Sequence, residues 1–429
     1  MNDWGPATRS VHSGGRADPA TGARATPIYQ TTSYQFESAD HAADLYALSA
    51  EGDVYSRISN PTTRTLEERL AALEGGVDAV ATSSGMAALD AATFLLAAPG
   101  DSIVSSSAIY GGTTAYFNHV AGRRGIETHF VDTLDYEEYE KAIDEDTAFV
   151  HLETIGNPSL VTPDIERVAE IAHDNGAPLF VDNTFATPYL CRPLECGADL
   201  VWESTTKWLH GSGSTVGGAL IDGGSFDWTG YEELSGENPA YDGIDFSRDF
   251  PEAPFAAAAR FRSLRALGAQ QAPFDAWATL QGLESFPLRM ERHCENAAIV
   301  AEFLADHEAV SWVTYPGLES HPTHDNAREY LEGGFGGMIA FGLENGFEGG
   351  KRVCEAVDLV SFVANIGDAK SLIIHPASTT HGQLTPEQRA KSGVTEDLVR
   401  LSVGIEDPED VLRDLDRAIE VATGRSSEP

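Results

Sequence analysis

Cysteines and long apolar runs are both scarce in this chain of 429 residues. No stretch approaches the ~18 consecutive apolar residues that a membrane-spanning helix needs. The first ten residues, MNDWGPATRS, have neither the basic end nor the apolar core of a signal peptide. The four cysteines are too few for a disulfide framework, and Cys191 and Cys196 lack partners at the spacing of a zinc site. The sequence therefore predicts a soluble, cytoplasmic protein without a metal site.

Basic residues are also few. There are 28 Lys plus Arg against 67 Asp plus Glu, a formal net charge of −39, and the acid excess is spread along the chain. Scattered carboxylates make a strongly hydrated surface of the kind that halophiles use, although an ordinary acidic protein remains the alternative. The same charge would repel nucleic acids and anionic membranes. Since 42% of the residues are hydrophobic and 9% aromatic, the chain is expected to fold around a large core.

The order of apolar segments predicts an α/β fold. Residues 1–60 form an extended arm with one helical stretch near residues 38–49. From Pro61 to about residue 261, short apolar runs such as TAFVHLE, PLFVDNT and ADLVWEST alternate with helical patterns, which is typical of a mostly parallel sheet. Residues 225–260 are acidic and weakly periodic and predict a long surface loop. Residues 262–429 form a second, smaller domain that begins with a long helix and continues through strand-like segments.

In such a sheet, ligands bind beyond the carboxyl ends of the strands, and one candidate turn lies there. Ser83-Ser84-Gly85-Met86 joins the run DAVAT to a helical segment. Amide groups at a helix start suit a phosphate. The same residues also suit an ordinary strand–helix turn.

Three charged residues follow or enter apolar runs. Asp182 follows PLFV, where it either holds a ligand or caps a helix. Lys207, in ESTTKWLHG, can form a Schiff base when desolvated, or it is a buried lysine paired with a carboxylate. Arg400 has a guanidinium that suits a carboxylate, either of a substrate or of a neighbouring aspartate. An anion site, an acid, a lysine and an arginine together are what pyridoxal 5′-phosphate (PLP) and an amino-acid substrate require.

Eight ordered blocks strengthen this interpretation. The chain carries YSRISNPT at residues 55–62, SSGMA at 83–87, AIYGGT at 108–113, ETIGNP at 153–158, VDNTFATP at 181–188 and STTKWLHG at 204–211. NIGDAKSLIIHPASTTH and RLSVGIED follow near the C-terminus, at residues 365–381 and 400–407. These blocks resemble the Cys/Met-metabolism family of fold-type-I PLP-dependent enzymes. The resemblance implies a mostly parallel central sheet with helices on both faces and a smaller α+β C-terminal domain.

The resemblance also implies roles for individual residues. Lys207 would bind the cofactor, Asp182 would face the pyridine nitrogen and Tyr110 would stack on the ring. The substrate carboxylate would be held by Arg400 with Ser371, Asn157 and Tyr55. The phosphate would be held by residues of two subunits. Gly85, Met86, Ser204 and Thr206 would come from one subunit, and Tyr55 and Arg57 from its neighbour.

Two departures from the family's lyase and cystathionine patterns indicate the reaction. Gly112 stands where methionine γ-lyases have a cysteine, and Lys370 replaces the acid of a GG-x-E-S pattern. Both departures favour γ-replacement over γ-lysis, and the block STTHGQLTPEQ and the 225–260 segment resemble the sulfhydrylase branch. We therefore expect γ-replacement on O-acetyl-L-homoserine by sulfide or methanethiol, in a homodimer or homotetramer. The alternatives are a cystathionine γ-synthase or γ-lyase and a catalytically silent PLP-binding regulatory protein.

Overall fold

The structure is a computed structural model that describes residues 4–241, 243–382, 389 and 393–425. Residues 383–388 of the block STTHGQLTPEQ therefore lie outside the described residues. Within the described part of the chain, every helix is too short or too polar to span a bilayer.

The N-terminal arm has little regular structure. It contains α1 (Pro6–His12) and α2 (Ala39–Tyr46), the second lying within the predicted helical stretch. Asn60 joins the arm to α3 (Pro61–Glu74): its Oδ1 accepts from the Thr62 amide at 2.9 Å, and its Nδ2 donates to the Tyr29 carbonyl at 2.8 Å. This N-cap fixes where the extended chain becomes helical.

The larger sheet of the described residues has seven strands in the order β1-β7-β6-β5-β4-β2-β3. The strands are β1 (Asp78–Thr82), β2 (Ser102–Ser106), β3 (Glu127–Val131), β4 (Thr147–Glu153), β5 (Leu179–Asp182), β6 (Leu200–Glu203) and β7 (Gly218–Asp222). The pairings from β3 to β6 are parallel, while β7 is antiparallel to both β6 and β1. Because β7 reverses between them, β1 runs parallel to β6, and their carboxyl ends share one edge.

Helices cover both faces of this sheet, as predicted. The helices that follow β1 to β5 are α4 (Gly85–Leu96), α5 (Gly111–Ala115), α6 (Tyr136–Ala142), α7 (Ile165–Asp174) and α8 (Thr187–Leu190). Neighbouring strand residues point to opposite faces: Phe180 belongs to the core beside α4, and Val181 to the core beside α3 and α7. Burial on both faces explains the continuous apolar runs in the sequence.

The expectation of a surface loop over residues 225–260 is wrong. The segment contains α9 (Glu232–Ser235), α10 (Phe246–Asp249) and α11 (Pro254–Ala258). Trp228 and Phe255 are buried and stack with ring centroids 5.5 Å apart. The sequence pattern concealed this packing, because large aromatic residues at irregular intervals bury area without giving a helical or strand period.

The predicted long helix after residue 262 is divided. α12 (Arg265–Leu267) ends at Gly268, which has a positive φ of 71°, and α13 (Pro273–Leu283) and α14 (Phe286–Asp306) follow. A left-handed glycine ends a helix and proline favours a helix start, so these residues separate the elements.

A second sheet follows in the order β10-β11-β12-β9-β8. Its strands are β8 (Val310–Thr314), β9 (Met338–Leu343), β10 (Ser361–Phe362), β11 (Leu372–Ile374) and β12 (Leu398–Ser402). In the described part of the chain, the helices after α14 include α15 (His324–Tyr330), α16 (Gly346–Ala356) and α17 (Pro408–Thr423). The domain boundary at residues 261 and 262 stays a prediction.

Candidate active site

Four strands of the larger sheet end at one edge and bring polar side chains to it. Glu153 ends β4 and Asp182 ends β5, and the two residues are paired in register. Ser83 follows β1 and Ser204 follows β6. This edge is where an open α/β sheet binds its ligands.

The start of α4 forms a narrow turn against the end of β6. The Ser84 hydroxyl accepts a hydrogen bond from the Ala87 amide at 3.1 Å and caps the helix. A β-carbon on Gly85 would lie only 3.0 Å from that of Ser204, so glycine is what allows this close approach. The amides of Gly85 and Met86, the first two of the helix, have no intrahelical acceptor. The turn can therefore bind a phosphate.

Asp182 is a buried acid at the end of the central strand. Its Oδ1 accepts a hydrogen bond from the Thr184 amide at 2.9 Å. Burial raises the pKa of Asp182 to about 7, and hydrogen bonds from Thr184 oppose the shift. The Thr184 hydroxyl in turn accepts from the Ser204 amide at 2.9 Å, so it links the ends of β5 and β6.

Three further buried carboxyl groups lie at this end of the sheet: Glu74, Glu153 and Glu203. Burial raises the pKa of each of them. The negative charge of Asp182 further raises the pKa of Glu153, and the Glu74 carboxyl further raises that of Glu203. A cation beside Asp182 would relieve this concentration of acid groups.

Lys207 lies in the turn after β6 and is half-buried. Its Nζ donates a hydrogen bond to the Asn365 Oδ1 at 2.6 Å. Burial, followed by the charge of Arg400, lowers the pKa of Lys207 to about 8. A substantial fraction of the amine is therefore neutral near pH 8, the form that attacks a carbonyl carbon.

This chemistry agrees with comparisons with known proteins. Residues 7–420 match the Cys/Met metabolism PLP-dependent enzyme family. The chain belongs to this family. Its cofactor is PLP.

Relatives match over nearly the whole length. The chain is 47% identical over 420 residues to a homocysteine synthase of Schizosaccharomyces pombe, covering 97% of this chain and 98% of the relative. It is 46% identical over 425 residues to an O-acetyl-L-homoserine sulfhydrylase of Leptospira meyeri, with 96% of each chain covered. Among solved structures, a Campylobacter jejuni protein assigned as an O-acetylhomoserine (thiol)-lyase, which carries a pyridoxyl-lysine monophosphate, superposes with a TM-score of 0.94 at 38% identity. That comparison covers 97% of this chain and 100% of the other.

The residues at the sheet edge fit the chemical groups of PLP. Lys207 would offer the aldehyde an amine with a lowered pKa, and the amides at the start of α4 would offer donors to the phosphate. Asp182 is an acid that a protonated pyridine nitrogen would complement. Gly85 keeps the turn before α4 open, since any larger residue would meet Ser204.

Tyr110 lies at the start of α5, with a half-exposed side chain. A β-carbon on Gly112 would come within 2.3 Å of the Tyr110 Cε1, so the ring position depends on the glycine. The sequence comparison with methionine γ-lyases singled out Gly112 but not this contact.

Three of the four residues predicted for the substrate carboxylate lie in two clusters. Arg400, on β12, donates from Nη1 to the Asn157 Oδ1 at 3.0 Å, and burial lowers its pKa to about 10. Ser371 is fully buried, and its hydroxyl donates to Glu406 at 3.0 Å and accepts from the Gly404 amide at 2.9 Å. The structure thus pairs Arg400 with Asn157, while the hydroxyl of Ser371 is hydrogen-bonded to Glu406 and Gly404. Its predicted role stays a prediction.

The other predicted phosphate residues have separate contacts. The Thr206 hydroxyl donates to the Gly217 carbonyl at 3.1 Å. Arg57 donates to the Arg265 carbonyl, and its guanidinium carbon lies 5.6 Å from the centre of the Tyr55 ring. Among the described residues, no hydrogen bond joins Tyr55 or Arg57 to Lys207 of the same chain. Their role toward a neighbouring subunit stays a prediction.

Sequence reasoning gave no individual role to two residues of this site, Glu153 and Asn365. Both stand at the start of blocks that carried the family resemblance, ETIGNP and NIGDAKS. Glu153 could have been found as Asp182 was, because it also ends an apolar run that forms a strand. Asn365 lies 158 positions from its partner Lys207, so spacing alone could not reveal their contact.

Proposed function

We propose that this protein catalyses γ-replacement on O-acetyl-L-homoserine. Sulfide displaces acetate from the γ-carbon and gives L-homocysteine, and methanethiol in the same role gives L-methionine. The observation that carries the proposal is the 46–47% identity, over nearly full length, to relatives named homocysteine synthase and O-acetyl-L-homoserine sulfhydrylase.

In this proposal, the chain's own residues hold the cofactor. Lys207 binds the aldehyde, Asp182 keeps a proton on the pyridine nitrogen and Tyr110 covers the ring. The phosphate is bound by Gly85, Met86, Ser204 and Thr206, with Tyr55 and Arg57 supplied by a second subunit. Bound PLP supplies an electron sink for negative charge that develops on the substrate.

Lys207 also transfers protons. Its lowered pKa lets the neutral amine remove the α-proton of the substrate near neutral pH. The hydrogen bond to Asn365 holds the Lys207 Nζ in place for this proton transfer. Arg400 and Asn157 bind the substrate carboxylate, because a guanidinium offers two parallel donors to its oxygens. Ser371 and Tyr55 complete that set in the proposal.

Two features support replacement over elimination. Gly112 gives the Tyr110 ring its space, where methionine γ-lyases carry a cysteine. Lys370 stands in the place of the acid of cystathionine-handling relatives and forms an ion pair with Asp368 at 3.1 Å.

An assay of the purified, PLP-loaded protein tests this function. With O-acetyl-L-homoserine and sulfide, we expect homocysteine and acetate in equal amounts. Release of 2-oxobutanoate as the main product would instead indicate a γ-lyase. Absence of turnover with any γ-substituted substrate, with PLP bound, would indicate a silent binding protein.

We further propose that a two-fold dimer is the smallest active unit and that two dimers form the tetramer. The basis is the N-terminal arm, which carries Tyr55 and Arg57. The family resemblance implies that these two residues bind the cofactor phosphate in the neighbouring subunit's site. Refolding a mixture of Arg57→Ala and Lys207→Ala chains tests this. Each mixed dimer contains one site with both groups intact, so activity should return to about half per mixed dimer. No recovery in mixed dimers verified by mass would show that the arm serves its own chain.

We also propose a cytoplasmic location and a salt-adapted surface. The four cysteines are free, in keeping with a reducing compartment. The net charge of −39 supports adaptation to salt.

A further inference from the structure

One buried carboxyl group joins two parts of the candidate site. The Glu153 Oε1 accepts a hydrogen bond from the Tyr110 amide at 2.6 Å, and the Oε2 accepts one from the Asn157 amide at 3.0 Å. The residue is only 4% exposed, so water does not compete for these bonds. Both oxygens are thereby committed to main-chain donors.

The two amides belong to residues with different proposed roles. Tyr110 is the N-cap residue of α5, its ring lies against Gly112, and it is the residue proposed to cover the cofactor. Asn157 accepts a hydrogen bond from Arg400, the residue proposed for the substrate carboxylate. A single side chain on β4 therefore lies between the part that covers the cofactor and the part that binds the substrate.

We propose that Glu153 is a positioning residue that sets the Tyr110 main chain and the Asn157–Arg400 pair relative to each other. The expected change in KM rests on the proposed function. The expected change in the surroundings of bound PLP does not depend on which reaction the protein catalyses. Asp182, which is paired in register with Glu153, is the charged group beside it. Glu153 thus contacts two residues of the site and borders a third.

The chemistry of the side chain explains why a carboxyl group is required. Two acceptor oxygens face two N–H donors, and glutamine supplies only one acceptor. In Glu153→Gln, the NH2 group would face a backbone N–H, and one bond would become a donor–donor contact without water to relieve it.

Asp222 provides a matched control. It ends β7, is 1% exposed, and accepts hydrogen bonds from the Gly224 amide at 2.9 Å and the Ala256 amide at 3.0 Å. Because β7 is antiparallel to β6, Asp222 lies at the opposite edge of the sheet from Asp182. Asp222→Asn makes the same kind of change, away from the site.

The test compares the PLP-loaded Glu153→Gln and Asp222→Asn proteins with the wild type. Visible circular dichroism of bound PLP reports the asymmetry of its surroundings, and titration of the cofactor-free protein gives PLP affinity. In Glu153→Gln, we expect a changed PLP dichroism and a rise in the KM for O-acetyl-L-homoserine of roughly 10- to 100-fold, the size expected for one lost hydrogen bond to a buried polar group. In Asp222→Asn, the unfolding temperature should fall while the dichroism and the KM stay those of the wild type.

Two results would overturn the proposal. One is a Glu153→Gln protein that loses thermal stability as Asp222→Asn does but keeps the wild-type dichroism and KM. The other is equal changes of dichroism and KM in both variants. Should Glu153→Gln not fold, Glu153→Asp replaces it: its shorter side chain cannot reach both amides, so the dichroism and KM should change in the same direction, and wild-type values would refute the proposal. A wild type that binds PLP without turnover would refute the proposed function, and the dichroism would still test Glu153.

Discussion

Gly112→Ala should reduce activity without reducing stability. The new β-carbon would lie 2.3 Å from the Tyr110 Cε1 and 2.8 Å from its Cζ. Non-bonded carbon atoms normally approach to ~3.5–4.0 Å, so the ring must move by at least about 1.2 Å. Tyr110 is 46% exposed, so its ring can turn toward solvent without disturbing the core.

The expected magnitudes differ for the two properties. Displacing a group of the reacting site by about 1 Å costs on the order of 10²-fold, so we expect kcat/KM for O-acetyl-L-homoserine to fall about 100-fold. Alanine is favoured over glycine in a helix by roughly 0.5–1 kcal/mol, so the unfolding temperature should hold or rise slightly. Homocysteine formation and thermal unfolding measure the two effects on the same preparation.

Gly122 supplies the control. It has a helical φ of −57°, and its added β-carbon would meet only the Phe117 carbonyl oxygen, at 3.9 Å. Gly122→Ala should therefore match the wild type in activity. Wild-type kcat/KM in Gly112→Ala, or equal losses in both variants, would refute the reasoning from the Tyr110 ring.

Three further predictions follow from charges. The rate at which cofactor-free protein takes up PLP should rise about tenfold per pH unit up to pH ~8 and then level, because the neutral Lys207 amine reacts and its pKa is lowered to about 8; a rate still rising steeply at pH 9.5 would contradict this. Arg400→Lys should raise the KM for O-acetyl-L-homoserine by roughly 10-fold or more with the PLP spectrum intact, because lysine keeps the charge and loses the paired donors; unchanged kinetics would place the carboxylate elsewhere. Thermal stability should rise with KCl, since repulsion between surface carboxylates is screened over a Debye length that falls from ~10 Å at 0.1 M to ~3 Å at 1 M. Full stability in dilute buffer would show that the acidic surface is not an adaptation to salt.

The strand-end residues of the site could be predicted from local sequence. Asp182 follows an apolar run, and Lys207 lies in the turn after another, so each was placed at the sheet edge before any contact was known. Local order suffices here because a strand buried on both faces reads as a short apolar run, and the residue after it must emerge at the strand's end. The motif blocks extended this to the family and to PLP.

Other features depended on contacts that sequence order does not contain. β7 was missed because it is a five-residue antiparallel strand in a glycine-rich stretch, and its direction alone brings β1 parallel to β6. Burial of Trp228 and Phe255 in the predicted surface loop is another case, since irregularly spaced aromatic residues have no period to detect.

The sequence by itself determined the fold class, the residues at the strand ends and the family. Only the tertiary structure decided how those residues meet: Asn365 against Lys207, Asn157 against Arg400, and Glu153 between two amides. The physical reason is that strand formation and turn position depend on neighbouring residues. The Lys207 and Arg400 contacts join side chains more than a hundred positions apart, so they depend instead on the packing of both sheets. The Glu153 bonds depend on how the turns after β2 and β4 meet.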